Sequence, residues 1–365
     1  MSLVYSMKRF LLALIALLVM PVVFANEKGG KQEEEYDVTG EIMHHISDAH
    51  EWHLWGDDDA TTSVYLPIIL IDNGLVTFSS KEFYHTTPRE FVNAEGKTDH
   101  YFVESTGRYA MVHEEIYKLT NGELEFHEGH PKAESPLDFS ITKNVLSLFF
   151  GAIIILILLL TTAGFYKKNG AVGPKGLAKF LEPMILMVRN IAVDNIGEHK
   201  YKRFLPFLTT VFFFIWINNM LGMIPIIPGG ANLTGNISVT LVLAVFTMLL
   251  TVFSGNKGYW SHIFATPGVP VALLPIMIPI ELVGILTKPF ALMIRLFANM
   301  TAGHIIVLAL ISIIFINKNA AWGALSVPMA LFISVLEILV AFLQAYLFAM
   351  LSALFIGAAV EEAHH

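Results

Sequence analysis

The sequence predicts an all-α polytopic membrane protein with five membrane crossings, two of them long and strongly tilted. A surface amphipathic helix and a small N-terminal extracytoplasmic domain with some β-structure complete the expected fold. Three observations carry this reading. Hydrophobic residues make up 55% of the 365 positions and charged residues only 15%, and the mean hydropathy is +0.60, a balance too apolar for a soluble domain. The net charge of -8 is spread unevenly, with acidic residues and histidines crowded into the first third. From residue 139 onward, apolar runs long enough to cross a ~30 Å hydrocarbon core recur between short polar turns. There is no cysteine, which excludes disulfides, iron–sulfur clusters and cysteine-ligated zinc. No basic stretch suggests a nucleic-acid partner.

Residues 1–25 open with Lys8-Arg9, continue through the apolar run Phe10 to Met20 and end in Val23-Phe24-Ala25. That order is the pattern of a secretory signal peptide. Residues 26–138 then form the extracytoplasmic, acidic and His-rich domain, opened by Glu33-Glu34-Glu35. Within it, Val64 to Ile71 and Leu75 to Phe78 flank Asp72-Asn73-Gly74, a hairpin signal, and Asn121-Gly122 marks a second turn. His44, His45, His50 and His53 lie close in sequence. Their spacing matches no strong zinc signature, so solvated or locally hydrogen-bonded imidazoles are expected rather than a metal site.

Residues 139–365 are the membrane domain. The first span, Leu146 to Tyr166, ends in Lys167-Lys168, which assigns that end to the cytoplasm by the positive-inside rule. Residues 174–203 mix Pro183, Arg189, Asp194, Glu198, Lys200, Lys202 and Arg203 with apolar positions, the composition of an amphipathic helix on the inner membrane surface. Asp194 and Glu198 read as its surface charges. A second span, Phe204 to Ile224, carries Asn218-Asn219 near its outer end, and the uncharged loop Pro225 to Asn236 follows outside. The third span, Ile237 to Ser254, returns to a cytoplasmic turn holding Lys257. Residues 270–316 form one apolar stretch, ~70 Å long as a continuous helix, so it must tilt, kink or break, and Pro275, Pro279 and Pro289 offer the breaks. A second long run, Trp322 to Ala359, leads to a cytoplasmic tail beginning Glu361-Glu362.

Arg295 needs a reason within its apolar surroundings. A guanidinium near mid-bilayer costs at least ~2.5–3.5 kcal/mol and cannot escape by losing its proton. Either it snorkels to the headgroups or it faces protein or water with a task. At 100° per residue, Asn299 and Glu281 each lie about 40° from Arg295 provided Pro289 does not reset the phase, whereas His304 falls nearly opposite. Glu337 and Gln344 share a face of the last helix, with Ala341 between them. Ala298, Ala302 and Gly303 would let another helix approach closely. Each polar residue also has a plainer use. Glu281 could pair with Lys288, His304 could be a buried neutral imidazole, and Asn218, Asn219 and Gln344 could be packing hydrogen bonds. A carboxylate such as Glu337 on an adjacent antiparallel helix would instead make His304 half of a proton relay.

Arg295-Leu-Phe-Ala-Asn-Met-Thr-Ala-Gly-His304, with Glu337-Ile-Leu-Val-Ala-Phe-Leu-Gln-Ala-Tyr-Leu-Phe348, resembles the membrane-embedded a subunit of F-type ATP synthases. The resemblance covers roughly residues 140–362 and leaves out most of 27–137. It implies a non-catalytic stator subunit in a bacterial inner membrane, amino terminus outside and carboxyl terminus in the cytoplasm. The implied partners are the c-subunit ring, the b subunits of the peripheral stalk, the remaining synthase subunits and membrane lipids. No cofactor or metal is implied. Arg295 matches the family's essential arginine, which faces the ring carboxylates and separates two half-channels. Glu281 matches the acidic residue of the cytoplasmic half-channel. Asn299, His304, Glu337, Gln344 and Asn219 match polar positions near the arginine and the outer half-channel. In many bacterial members the His304 position is acidic and the Glu337 position is histidine; the exchange here preserves a carboxylate–imidazole pair. Some members carry an aspartate near the Gly222 position, and this chain has none.

Other classes fit less well. A secondary transporter would show inverted internal repeats, and none is visible. An intramembrane aspartyl protease needs two membrane aspartates, yet Asp194 is the only aspartate after Asp138, and no HExxH motif is present.

Overall fold

The computed structural model describes residues 38–361 apart from 56–61, 95, 97, 120, 121, 171, 225–229 and 265–269. The expected signal peptide, Asn121 of the second turn, and the side chains of His44 and His53 lie outside the described residues.

A short helix α1 (Val38–Ile46) leads into antiparallel strands. The run Val64 to Ile71, expected as one strand, is two. β2 (Thr62–Tyr65) pairs with β1 (Glu51–Trp55), whereas β3 (Pro67–Ile71) pairs with β4 (Leu75–Ser79). The change of partner happens at Leu66, whose N–H lies 3.2 Å from the His50 carbonyl and 3.0 Å from Ser80 Oγ. Pro67 follows as the first residue of its strand, where a missing N–H is tolerated. The β3–β4 hairpin turns at Asp72-Asn73-Gly74, with φ +51° at Asn73 and +145° at Gly74, the positive φ values such turns demand.

A single helical turn, α2 (Lys81–Tyr84), precedes a four-stranded antiparallel sheet in the order β5 (Arg89–Val92), β6 (Thr98–Val103), β7 (Tyr109–Val112), β8 (Glu115–Lys118). All four residues of β7 are buried. Tyr109 and Met111 join one apolar cluster with Ile68, Leu70 and Phe83, while Ala110 and Val112 join a second with Phe91 and Tyr101. Alternation along one strand thus serves two cores, one on each face. After the small hairpin β9 (Phe126–His127) and β10 (His130–Pro131), strand β11 (Leu137–Asp138) adds to the free edge of β3.

That edge hands the chain to the membrane region. Phe139 and Ile141 continue to bond β3 backbone, and Thr142 then caps α3 (Lys143–Asn169) by accepting from the Val145 N–H. The first N–H groups of a helix lack intrahelical acceptors. Here the Lys143 N–H donates to the Ala49 carbonyl at 2.9 Å and the Asn144 N–H to Asp48 Oδ1 at 3.0 Å. The β-rich region therefore completes the helix start.

Five helices among the described residues are long and apolar enough to cross a membrane: α3, α5 (Tyr201–Gly222), α6 (Ile237–Ser254), α8 (Leu274–Ile316) and α9 (Gly323–Val360). Between the first two lies α4 (Leu177–Ile196), whose buried face of Leu181, Val188, Ala192 and Ile196 packs on α5 and α9. Asp194 and Glu198 are exposed. A helix, α7 (Lys257–Phe264), stands where only a turn around Lys257 was expected. Of the tilt, kink or break expected for residues 270–316, α8 shows no break. It runs unbroken for 43 residues through Pro279 and Pro289. A proline removes one backbone donor but leaves the neighbouring turns bonded, so packing along the rest of the helix can hold its path. The last helix packs along α8, α6, α5 and α4, and Phe348, Ala349, Ala353 and Ile356 join Phe212, Phe213 and Leu296 in the core of the helical region.

Candidate functional site

Arg295 is the midpoint of α8, and the helix around it has two faces. Leu292, Met293, Leu296 and Met300 are buried against the rest of the chain. Ala291, Arg295, Ala298, Asn299 and Ala302 are exposed. The guanidinium therefore projects from a strip of small residues, away from its own chain, and has no hydrogen bond or ion pair among the described residues. Asn299 shares this strip one turn on, as the helical phase predicts.

Glu281 lies ~21 Å along the helix axis from Arg295. It is half-buried and lines a groove with Tyr259, His262, Lys288 and Glu361. Burial and the nearby Glu281 charge push the Tyr259 phenol above its ordinary range. Lys288 forms no ion pair with Glu281 among the described residues; its ammonium sits 5.7 Å from the Phe355 ring centroid instead.

His304 leaves the helix on another side, as the phase reading requires. Its Nδ1 is 3.1 Å from the Met300 carbonyl and 3.9 Å from Glu337 Oε1, and its Nε2 is 3.4 Å from the Gly222 carbonyl. Each ring nitrogen thus faces an oxygen. Both hydrogen-bond partners are carbonyl oxygens, which only accept, so a neutral ring donates to one of them and only the cation donates to both. The contact with α9 depends on Gly303, because a Cβ built there would stand 2.0 Å from Glu337 Oε1. The carboxylate occupies the space a side chain would take.

Gln344, two turns beyond Glu337, is 3% exposed. Asn219 on α5 is 1% exposed and accepts the Thr234 hydroxyl hydrogen bond through Oδ1, while its Nδ2 has no partner. Asn218 donates to the Phe214 carbonyl at 2.8 Å and leaves Oδ1 unpartnered. Thr234 and Asn232 escaped sequence reasoning, although two polar residues in an uncharged loop were a usable signal. Tyr259 escaped with the unforeseen α7.

A second charged cluster sits in the β-rich region. His50, 2% exposed, donates its backbone N–H to Glu114 Oε2 at 2.9 Å; its Nδ1 is 3.2 Å from the same oxygen and its Nε2 is 3.7 Å from Asp138 Oδ2. The Tyr84 hydroxyl also donates to Glu114, at 3.1 Å. Burial pulls the His50 pKa down, but the hydrogen bond to Glu114 and the charges of Asp138 and Glu114 outweigh it and raise the value to about 9. Against the opposing effect of burial, the same contacts hold Glu114 and Asp138 below the usual carboxylate range.

The family described as ATP synthase A chain matches residues 145–357, more than half of the chain and every membrane-length helix. The chain belongs to that family. An ATP synthase subunit a 2 from Chlorobaculum tepidum is 52% identical over 230 residues, covering 61% of this chain and 64% of the relative. The chain thus spans just under two thirds of that relative's length. An ATP synthase subunit a from Myxococcus xanthus is 46% identical over 236 residues, 63% of this chain and 76% of the other. A further subunit a 2, from Prosthecochloris aestuarii, is 42% identical over 321 residues, 83% of this chain and 93% of its own length, so its similarity extends into the β-rich region. Residues 41–139 match a separate family, described as a domain of unknown function. This member of the ATP synthase A chain family is a multi-pass membrane protein, and the family match begins just after its β-rich region ends.

Proposed function

We propose that this chain is the proton-channel stator subunit of a bacterial F-type ATP synthase. In this reading it is non-catalytic and sits in the inner membrane, residues 26–138 outside and the carboxyl terminus in the cytoplasm. Its partners are the c-subunit ring, the b subunits of the peripheral stalk, the remaining synthase subunits and the surrounding lipid.

The observation that carries the reading is Arg295: a permanent cation at the midpoint of a 43-residue apolar helix, exposed and unpaired among the described residues. Such a charge requires a counter-charge from outside the chain, and the small residues beside it allow a partner helix to bring one. A proton from outside reaches His304 and Glu337 and passes to a ring carboxylate. The ring imidazole of His304 suits this task because it can accept on one nitrogen and release from the other. Once neutral, the ring carboxyl can turn into lipid, where its charged form could not stay. On return, the Arg295 cation favours the ionised acid, so the proton leaves toward Glu281. Asn299, Gln344 and Asn219 supply polar contacts beside the arginine and along the outer path. Each charge crossing the field yields ~2.3 kcal/mol per 100 mV, so several protons must pass per ATP.

The test is Arg295→Ala in vesicles holding the assembled complex. Coupled proton pumping should be abolished. Pumping at the normal rate would refute the reading.

A further inference from the structure

The start of α5, the end of α6 and the end of α9 meet around a basic groove that the proposed function does not use. About 470 Å³ in volume, it is lined by His199, Lys200, Lys202 and Arg203 from α5 and the loop before it, by Ser254 and Asn256 where α6 ends, and by Val360. No carboxylate is among the described residues that line it, and Glu361 belongs to the neighbouring groove of Glu281. The cations have different tasks. Lys200 donates from Nζ to the Val360 carbonyl at 2.8 Å, and the Asn256 N–H donates to the Ala359 carbonyl at 3.0 Å. The last carbonyls of a helix lack intrahelical donors, so these two contacts finish α9. Lys202 and Arg203 are exposed, and neither side chain has a hydrogen bond or ion pair among the described residues; the Arg203 guanidinium stands 5.6 Å from the Phe204 ring centroid.

Beside the groove, α6 presents an apolar stripe. Val242, Phe246, Leu249 and Phe253 are exposed, and their spacing sets them on one face of the helix. The stripe is ~16 Å long, about half of a ~30 Å hydrocarbon core. It ends at Phe253, 82% exposed, next to Ser254 of the groove.

From this placement we infer that the groove binds the phosphodiester headgroup of an anionic phospholipid, whose acyl chains lie along the α6 stripe. Such a site needs only that the helices cross a membrane, and under the topology proposed above it opens on the cytoplasmic leaflet. The two unbridged oxygens of a phosphodiester suit the fork of Arg203 and the point charge of Lys202. Basic pockets between membrane helices on that side take such headgroups. A free phosphate would satisfy the cations and leave the stripe uncovered. A zwitterionic lipid would bring a further cation into a groove that already holds three. Bound there, an anionic lipid offsets Lys202 and Arg203 and ties α5 to α6 beside the contacts that finish α9. It thereby braces the carboxyl end of the helix that carries Glu337 and Gln344.

The test places the assembled complex in phosphatidylcholine nanodiscs with a trace of phosphatidylglycerol carrying a photoactivatable diazirine on one acyl chain, or with the matching phosphatidylcholine probe. After illumination, labelled peptides are identified by mass spectrometry. The phosphatidylglycerol probe should label residues 246–254 roughly fivefold or more above the phosphatidylcholine probe. Unlabelled phosphatidylglycerol should displace it, and inorganic phosphate should not. Each basic residue near an anionic headgroup is worth about fivefold in affinity, so Lys202→Gln with Arg203→Gln should weaken labelling roughly 25-fold. Lys202→Arg with Arg203→Lys, which keeps both charges, should retain most of it. Equal labelling by the two probes would reduce the site to ordinary surrounding lipid and overturn the proposal. Displacement by inorganic phosphate would overturn it in favour of a free anion. No labelling of residues 246–254 by either probe would overturn it by showing that a protein partner covers the stripe. Should the glutamine variant fail to assemble, the comparison of probes and the phosphate competition on the unaltered complex decide the matter.

Discussion

Raising pH from 6.5 to 9 should loosen the β-rich region, because His50 is buried as a cation. Its pKa stands at about 9 against 6.5 for a free imidazole, and at about 1.36 kcal/mol per pKa unit the charged form contributes ~3 kcal/mol. Because the folded value lies above the unfolded one, that contribution is complete below pH 6.5 and disappears as pH climbs through about 9. Glu114 and Asp138 are shifted the other way, so their contribution exists above the ordinary carboxylate range and is lost on acidification. Stability should therefore peak near pH 5–6.5. For a region of this size, ~3 kcal/mol corresponds to a fall on the order of 10–20 °C in midpoint. Heating the purified complex at each pH and following brief proteolysis within residues 38–141 reads that midpoint. Glu114→Gln removes the central carboxylate, which costs ~3–5 kcal/mol at pH 6 and flattens the pH slope. A midpoint that does not move between pH 6.5 and 9.5, or an equal slope in the variant, would refute the buried-cation account.

Gly303→Val puts carbon where Glu337 Oε1 now lies, so the carboxylate should leave His304 and proton flux fall about tenfold or more, ~1.4 kcal/mol on the barrier; wild-type flux in assembled complex would contradict this. Thr234→Val deprives Asn219 of its hydroxyl donor and should destabilise the complex by about 1–3 kcal/mol in thermal denaturation. An unchanged midpoint would mean that Asn219 finds another partner. Glu281→Ala is expected to slow ATP-driven pumping about tenfold, whereas Asp194→Ala, exposed on α4, should leave it within about twofold; equal effects from the two would remove Glu281 from the path.

Helix positions were legible wherever hydrophobicity decides them. Residues 237–254 form a helix at the bounds expected, and the His304–Glu337 proximity follows from phase plus an antiparallel neighbour. Prolines were a weaker guide, since Pro279 and Pro289 remove single backbone bonds that the rest of α8 outweighs. The Leu66 switch between two sheets was hidden because periodicity describes one strand's faces and says nothing of its partners. Nothing near His50 in the sequence marks it as special, because its carboxylate partners, Glu114 and Asp138, are remote in sequence. For the same reason the burial of Asn144 and Ser147 was invisible: they look like the polar edge of a span until α5 is seen against α3.

The unbroken course of α8 has a geometric consequence. A 43-residue helix is ~65 Å long, more than twice a ~30 Å hydrocarbon layer, so it lies within that layer only if its axis leans strongly from the normal. His304 and Glu281, ~35 Å apart along the axis, are then displaced sideways as well as in depth. Two polar sites on such a slanted rod cannot be joined by a vertical thread of water. Under the proposed function, a proton passed between them must travel across the plane of the membrane, and the course of a single helix sets the length of that traverse.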